Sequence, residues 1–230
     1  MASTITLYHS VSARSFRPLW ALEELDLDYE LIVLAFPPRA HDKSYFKINP
    51  LGTVPALITE HGLMTESVAM CQYLASQKPS SGLTITEHDV DYPKYLNFLS
   101  YGESTLTFPQ TLVLRYQHFE VPERQLPSVA EDYGMWFISR TKLLDQALQD
   151  TMYLCGGRFT IADISVGYAL MLAEHVGLLE QCSAKVQAYW QLLKQRPSFI
   201  NALKKEQKVA AAQGISTQPT PSLRPFATKK

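Results

Sequence analysis

The feature that most constrains the fold is a change of hydrophobic rhythm at residues 78–91, KPSSGLTITEHDVD. Pro, Ser and Gly cluster there and apolar periodicity fails, as in a linker. Before it, strand and helix patterns alternate. ITLY (5–8) is a short buried strand, and from Ser15 onward Phe16, Leu19, Trp20 and Leu22 recur at helical spacing with Glu23, Glu24 and Asp26 on the polar side. YELIVLAF (29–36) is a second strand, ended by Pro37 and Pro38. A loose helical turn over 43–47 follows. VPALI (54–58) and GLMTE (62–66) flank Glu60, His61 and Gly62 as a hairpin, and 67–77 is a helix. The order βαβ–(α)–ββα predicts a parallel, right-handed unit with a hairpin at its edge.

After the break the pattern is helical throughout. A long segment from Tyr92 carries Pro109, which should kink or break it. Further helices are predicted over 127–150, 160–176, 183–195 and on to about Ala212. The resulting domain plan is an α/β unit over 1–78, a linker over 79–91, an all-α domain over 92–213 and a disordered, Pro-rich polar tail over 214–230.

Composition removes several function classes. The 230 residues carry 21 basic and 22 acidic side chains, well mixed, for a net charge of −1. A nucleic-acid partner needs a concentrated positive field, so none is expected. Lys204, Lys205 and Lys208 read as a solvated helix face. Cys71, Cys155 and Cys182 are widely spaced without a CxxC, which argues against a disulfide framework or a metal site and suits free thiols in the cytoplasm. MASTITLYHS has neither a basic nor a long apolar region, so no signal peptide is expected. No apolar run approaches the ~20 residues of a membrane span.

The most informative stretch is INPLGTVPALITEHGLMTES (48–67). Pro55 lacks the N–H that a ladder needs, yet it stands at the head of a good strand. Either it is a plain strand-start proline, or a cis Val54–Pro55 bond turns the backbone of residue 54 toward a bound peptide. Glu66 and Ser67 stand where the hairpin hands over to a helix. Ser67 is a natural N-cap, or it offers its hydroxyl and the helix-start N–H groups to a carboxylate while Glu66 takes an ammonium. Thr160-x-x-Asp163 in FTIADIS is a capping-box variant and serves folding.

SARSFRPLWALEEL, INPLGTVPALI, the TES–helix stretch and GGRFTIADISVGYAL together resemble cytosolic glutathione transferases of bacterial and fungal, serine-using type, over residues 4–205. The resemblance implies a thioredoxin-like N-terminal domain, an all-helical C-terminal domain and a homodimer. It implies that glutathione lies along Thr53, Val54 and Pro55, with Val54 pairing to its cysteinyl backbone. Glu66 and Ser67 would hold the γ-glutamyl end, and His41 or Lys43 the glycyl carboxylate. The reaction implied is attack of a glutathione thiolate on a hydrophobic electrophile, without a metal. Tyr101, Phe108, Tyr116 and Phe119 are candidates for the electrophile's pocket, and Glu103 for a contact across the dimer.

HSVSARSFRPLW (9–20) is the turn where the resemblance places the sulfur. A hydroxyl there donates to the thiolate, and the following helix start adds partial positive charge. No cysteine is near, which argues against disulfide exchange. Many relatives place serine at position 13, where this chain has Ala13. Ser12 can take over, Ser15 or a backbone N–H can act, or catalysis can be weak. Tyr8 ends the strand, His9 is either a thiolate partner or structural, and Arg14 and Arg17 either add positive potential or are surface charges. Ala13 also leaves room for a non-catalytic, ligand-binding relative. A glutathione-dependent isomerase is disfavoured, because its Ser-Ser-Cys turn is absent.

Overall fold

The structure is a computed structural model that describes residues 5–219. They form two compact units, residues 5–84 with 195–219, and residues 85–194. Among the described residues no helix is long and apolar enough to cross a membrane.

The first unit is built on four strands, β1 (Ile5–His9), β2 (Tyr29–Val33), β3 (Ala56–Thr59) and β4 (Gly62–Met64), in the order β2-β1-β3-β4. β1 and β2 are parallel, with Leu7 opposite Leu31 and His9 opposite Val33; the other pairs are antiparallel. The β1–β2 crossover is α1 (Phe16–Leu25), whose Phe16, Leu19, Trp20 and Leu22 are fully buried. A short α2 (Pro38–His41) and a 3-10 turn (Lys43–Lys47) bridge β2 to β3, and α3 (Ser67–Ser76) follows β4. This is the thioredoxin-like arrangement expected of the first domain. Of the apolar run 29–36, only Tyr29–Val33 pairs as strand; beyond it the chain turns through a cis Phe36–Pro37 bond.

The second unit begins with α4 (Tyr92–Tyr101), continues as a π-helical stretch (Gly102–Thr107) into α5 (Phe108–Leu114), and ends in a second π stretch (Arg115–Phe119). The expected break at Pro109 does not occur. The proline sits in the first turn of α5, and the wider π winding before it accommodates the missing N–H. The single helix expected over 127–150 is two, α6 (Pro127–Arg140) and α7 (Lys142–Ala147), joined at Thr141. α8 (Ile161–His175) is buried along nearly its whole length and packs on α4, the first π stretch and α9 (Ala184–Lys194). Gly102 permits that approach, because a Cβ there would stand 2.5 Å from the Ser165 carbonyl carbon.

α8 starts with the expected capping box. Asp163 is fully buried and accepts from Thr160 N at 2.8 Å, Leu154 N at 3.0 Å and the Tyr189 hydroxyl at 2.7 Å. Burial holds its carboxyl above the ordinary value, against these hydrogen bonds, which pull it down.

The last helix, α10 (Pro197–Ala212), departs from the expected domain plan. It belongs to the first unit, where it packs on α1 and β2. The Phe199 ring meets Trp20 edge-on at 4.9 Å and Phe16 at 5.3 Å, and Trp20 Nε1 donates to Ser198 Oγ at 3.1 Å. Glu24 receives Arg196 and Ser198 together. Each fully buried aromatic contributes roughly 1.5–3 kcal/mol, and edge-to-face pairs about 0.5–1.5 kcal/mol more. Such contacts bind α10 to the sheet domain, although it follows the helical stretch in sequence. Of the tail expected to be disordered, 214–219 are described: Ile215 N closes the helix end on the Ala210 carbonyl at 2.8 Å, and Ile215 and Ser216 line a cleft. Residues 220–230 lie outside the described residues.

Candidate functional site

Strand direction determines where the site can form. β1 ends at His9 opposite the end of β2 at Val33. β3 begins at Ala56 opposite Tyr8, and β4 ends at Met64 opposite Leu57. The turn 10–15, the loop after Val33, the Val54–Pro55 step and the Glu66–Ser67 corner therefore leave the same end of the sheet. Residues scattered over positions 12 to 67 are gathered there by topology alone.

The turn is internally braced. Ser15 Oγ accepts from Ser10 N at 3.2 Å and donates to the Ser10 carbonyl at 3.4 Å, and Ser15 is fully buried. Ser10 Oγ donates to the Leu34 carbonyl at 2.8 Å. Ala13 N donates to the Ser10 carbonyl at 3.0 Å. Ser12, half-buried, occupies the corner in the left-handed region with φ 57, which side chains with a Cβ rarely adopt. Its N–H donates to Glu206 Oε2 at 3.1 Å, and the same oxygen lies 2.8 Å from His9 Nε2. The backbone N–H groups of Ser12 and Ala13 are thus spent inside the protein. His9 is fully buried and serves as a partner of Glu206. Tyr8 is half-buried with its ring 5.6 Å from that of Tyr45.

The Val54–Pro55 bond is cis, and the β1–β3 ladder begins only at Ala56. The step is held from behind. The Thr53 carbonyl accepts from Asn49 Nδ2 at 2.8 Å and from the Tyr45 hydroxyl at 2.9 Å, while Leu51 N donates to Asn49 Oδ1 at 3.0 Å. Thr53 itself is exposed and Val54 half-buried.

At the third corner the capping expectation needs correcting. Ser67 is the first residue of α3, and Glu66 holds the N-cap position with extended backbone and an exposed side chain. Ser67 Oγ instead accepts from Arg17 Nη1 at 3.2 Å, and Arg17 is fully buried, not a surface charge. On the same helix, burial pushes the Cys71 thiol up to about 12, against the pull of the Arg17 charge.

Residues 3–76 match the family model of the glutathione S-transferase N-terminal domain. The chain is 30% identical over 203 residues to glutathione S-transferase GstA of Escherichia coli O157:H7, spanning 87% of this chain and 98% of that protein. This protein belongs to the glutathione S-transferase family. A sphingomonad glutathione S-transferase solved in complex with glutathione superposes with a TM-score of 0.76 at 27% identity, over 87% of this chain and 98% of that one. A glutathione transferase of Methylococcus capsulatus superposes with a TM-score of 0.75 at 25% identity, over 88% and 98%. The two-part architecture is therefore that of glutathione transferases.

The remaining candidates of this glutathione S-transferase separate by unit. His41 ends α2 and Lys43 opens the 3-10 turn, in the connection from β2 to β3; both are exposed, with His41 Nε2 3.2 Å from the Phe36 carbonyl oxygen and Lys43 Nζ over the Phe46 ring. His41 also borders a cleft of about 220 Å³ next to the turn, with Val11, Phe36, Ile215 and Ser216. Tyr101, Glu103, Phe108, Tyr116 and Phe119 belong to the second unit. There the Tyr101 hydroxyl donates to the Arg140 carbonyl and Arg115 lies against the Tyr116 ring, while Phe108 and Phe119 are exposed. Glu103 is half-buried in the first π stretch.

Sequence reasoning missed Asn49 and Glu206. Asn49 carried a local signal, since Asn-Pro-x-Gly ahead of a strand suits an Asx turn. Glu206 carried none, because its partners are nearly two hundred residues away.

Proposed function

We propose that this protein is a glutathione transferase in which Ser12 activates the glutathione sulfur. The observation that carries the reading is the convergence of the Ser12 turn, the Val54–Pro55 step and the Glu66–Ser67 corner at one sheet end in a glutathione S-transferase family chain. Ser12 is favoured over Ser15, whose hydroxyl is buried against Ser10. It is favoured over the adjacent backbone, whose N–H groups at 12 and 13 are already bonded.

Glutathione lies extended across the three segments. The Val54 backbone pairs with the cysteinyl residue next to Thr53 and Pro55, and Glu66 takes the γ-glutamyl ammonium. Ser67 and the start of α3 take the γ-glutamyl carboxylate, with the buried Arg17 fixing the Ser67 oxygen. His41 or Lys43 meets the glycyl carboxylate. The Ser12 hydroxyl donates to the sulfur and favours its ionised form. An unperturbed thiol near 8.5 is only a few per cent ionised at neutral pH, so lowering its pKa raises the supply of nucleophile. The thiolate attacks an electrophilic carbon, forming the carbon–sulfur bond; either the leaving group departs or the added electron pair is taken up by a proton. Tyr101, Phe108 and Tyr116 line the electrophile's pocket in this reading. Glu103 reaches across a homodimer, and the three free, buried cysteines suit the cytoplasm.

The test is an ultraviolet titration of the glutathione thiolate on the protein. A bound thiol ionising well below free glutathione supports the reading. Binding with an unshifted pKa favours a second one, a glutathione-binding protein in which Ala13 marks lost catalysis. Absence of binding overturns both.

A further inference from the structure

We propose that Glu206 is a positioning residue for the sulfur-activating turn. The proposal rests on the reading of Ser12 given above. Glu206 stands on α10 and is 1% exposed. Removing a carboxylate from water is costly, and an apolar side chain of similar size would fill the place without that cost. Its bonds indicate what it does there. One oxygen, Oε2, takes both the Ser12 N–H at 3.1 Å and His9 Nε2 at 2.8 Å. These two residues bracket the corner at the end of β1.

The ring of His9 fixes the proton arrangement. His9 Nδ1 is buried with no hydrogen-bond partner. A proton on Nδ1 would be a buried donor without an acceptor, and Nε2 would turn a lone pair toward a carboxylate oxygen. The proton therefore resides on Nε2 and donates to Glu206, while the Ser12 N–H donates to the same atom. Held by its N–H at φ 57, residue 12 has a set backbone orientation, and so does the Cα–Cβ bond from which the hydroxyl projects. Without the acceptor, the corner would lose the hydrogen bond that holds the part-buried Ser12 N–H and relax toward a right-handed turn. The carboxylate thus orients the hydroxyl without touching the sulfur.

The measurement is the pKa of glutathione bound to the full chain, together with its dissociation constant, for Glu206→Ala, Glu206→Gln, Ser12→Ala and the double variant Glu206→Ala/Ser12→Ala. Glu206→Ala is expected to raise the bound-thiol pKa by about one unit with glutathione affinity kept within about threefold. Glu206→Gln keeps an oxygen that accepts both bonds and should leave the thiol near its wild-type value. In the Ser12→Ala background, Glu206→Ala should add nothing, because it acts through that hydroxyl. An unshifted thiol in Glu206→Ala, full additivity in the double variant, or Glu206→Gln acting as strongly as Glu206→Ala overturns the proposal. If Glu206→Ala does not fold, exchange of the Ser12 amide proton in the wild type decides: strong protection is expected, and exchange at the rate of an open loop rejects it. Loss of effect in Ser12→Ala itself rejects the Ser12 reading and this proposal with it. A Ser12→Ala shift without a Glu206→Ala shift rejects only the role of Glu206.

Discussion

Arg17 reaches from α1 to α3 and donates from Nη1 to Ser67 Oγ at 3.2 Å, with Arg17 wholly buried and Ser67 nearly so. The bond gives the helix start that would receive the γ-glutamyl carboxylate a fixed hydroxyl and a nearby cation. Replacing Arg17 by Met keeps much of the stem and removes both. Stability should fall by about 2–4 kcal/mol and glutathione affinity by roughly tenfold. Urea unfolding and calorimetric binding would measure them; unchanged affinity in a folded variant would remove Arg17 from the site.

The two serines of the turn should separate cleanly. Ser12→Ala is expected to raise the bound-thiol pKa while leaving stability within about 0.5 kcal/mol. Ser15→Ala removes an oxygen that bonds the Ser10 backbone on both sides, so it should cost about 1–3 kcal/mol of stability with the thiol pKa little changed. The reverse pattern in thiolate titration and thermal melts would make Ser15 the group at the sulfur.

Asn49 is fully buried and braces the Thr53 carbonyl immediately before the cis bond. Asn49→Ala leaves that carbonyl and the Leu51 N–H each short of a partner. A loss of about 2–3 kcal/mol is expected, with KM for glutathione raised more than KM for the electrophile. Steady-state kinetics against both substrates would check the split; equal changes in the two would mean that the brace does not reach the glutathione segment.

Histidines in the second unit should make stability fall with acid. Burial holds His118 below the ordinary histidine value, and His175 is lowered by burial first and then by the charge of His118. Both folded-state values lie below the unfolded one. Their contribution is therefore complete above the ordinary histidine value, near 6.5, and is lost as pH falls through the depressed folded values. Comparing urea midpoints between pH 7.5 and pH 5 should show a smaller drop in His118→Phe than in the wild type. An identical drop would assign the acid sensitivity to other groups.

Short-range physics was readable in the chain. Apolar spacing foretold β1, α1 and the β3–β4 hairpin, and the proline at 55 raised the cis bond as one of two explanations. Thr160 and Asp163 announced their capping box because both partners lie within one turn. Where two local options differed by a single residue, spacing could not choose: Ser67 opens α3, and Glu66 takes the capping position instead. The tertiary structure alone decided the rest. Strand pairing gathered the segments of the site at one sheet end, and aromatic packing of Phe199 on Trp20 drew α10 back to the first unit. Arg17 and Glu206 are charged, and isolated charges belong in water. They are buried because partners 50 and up to 197 positions away supply the hydrogen bonds that water would have given, and no local pattern encodes a partner at that distance.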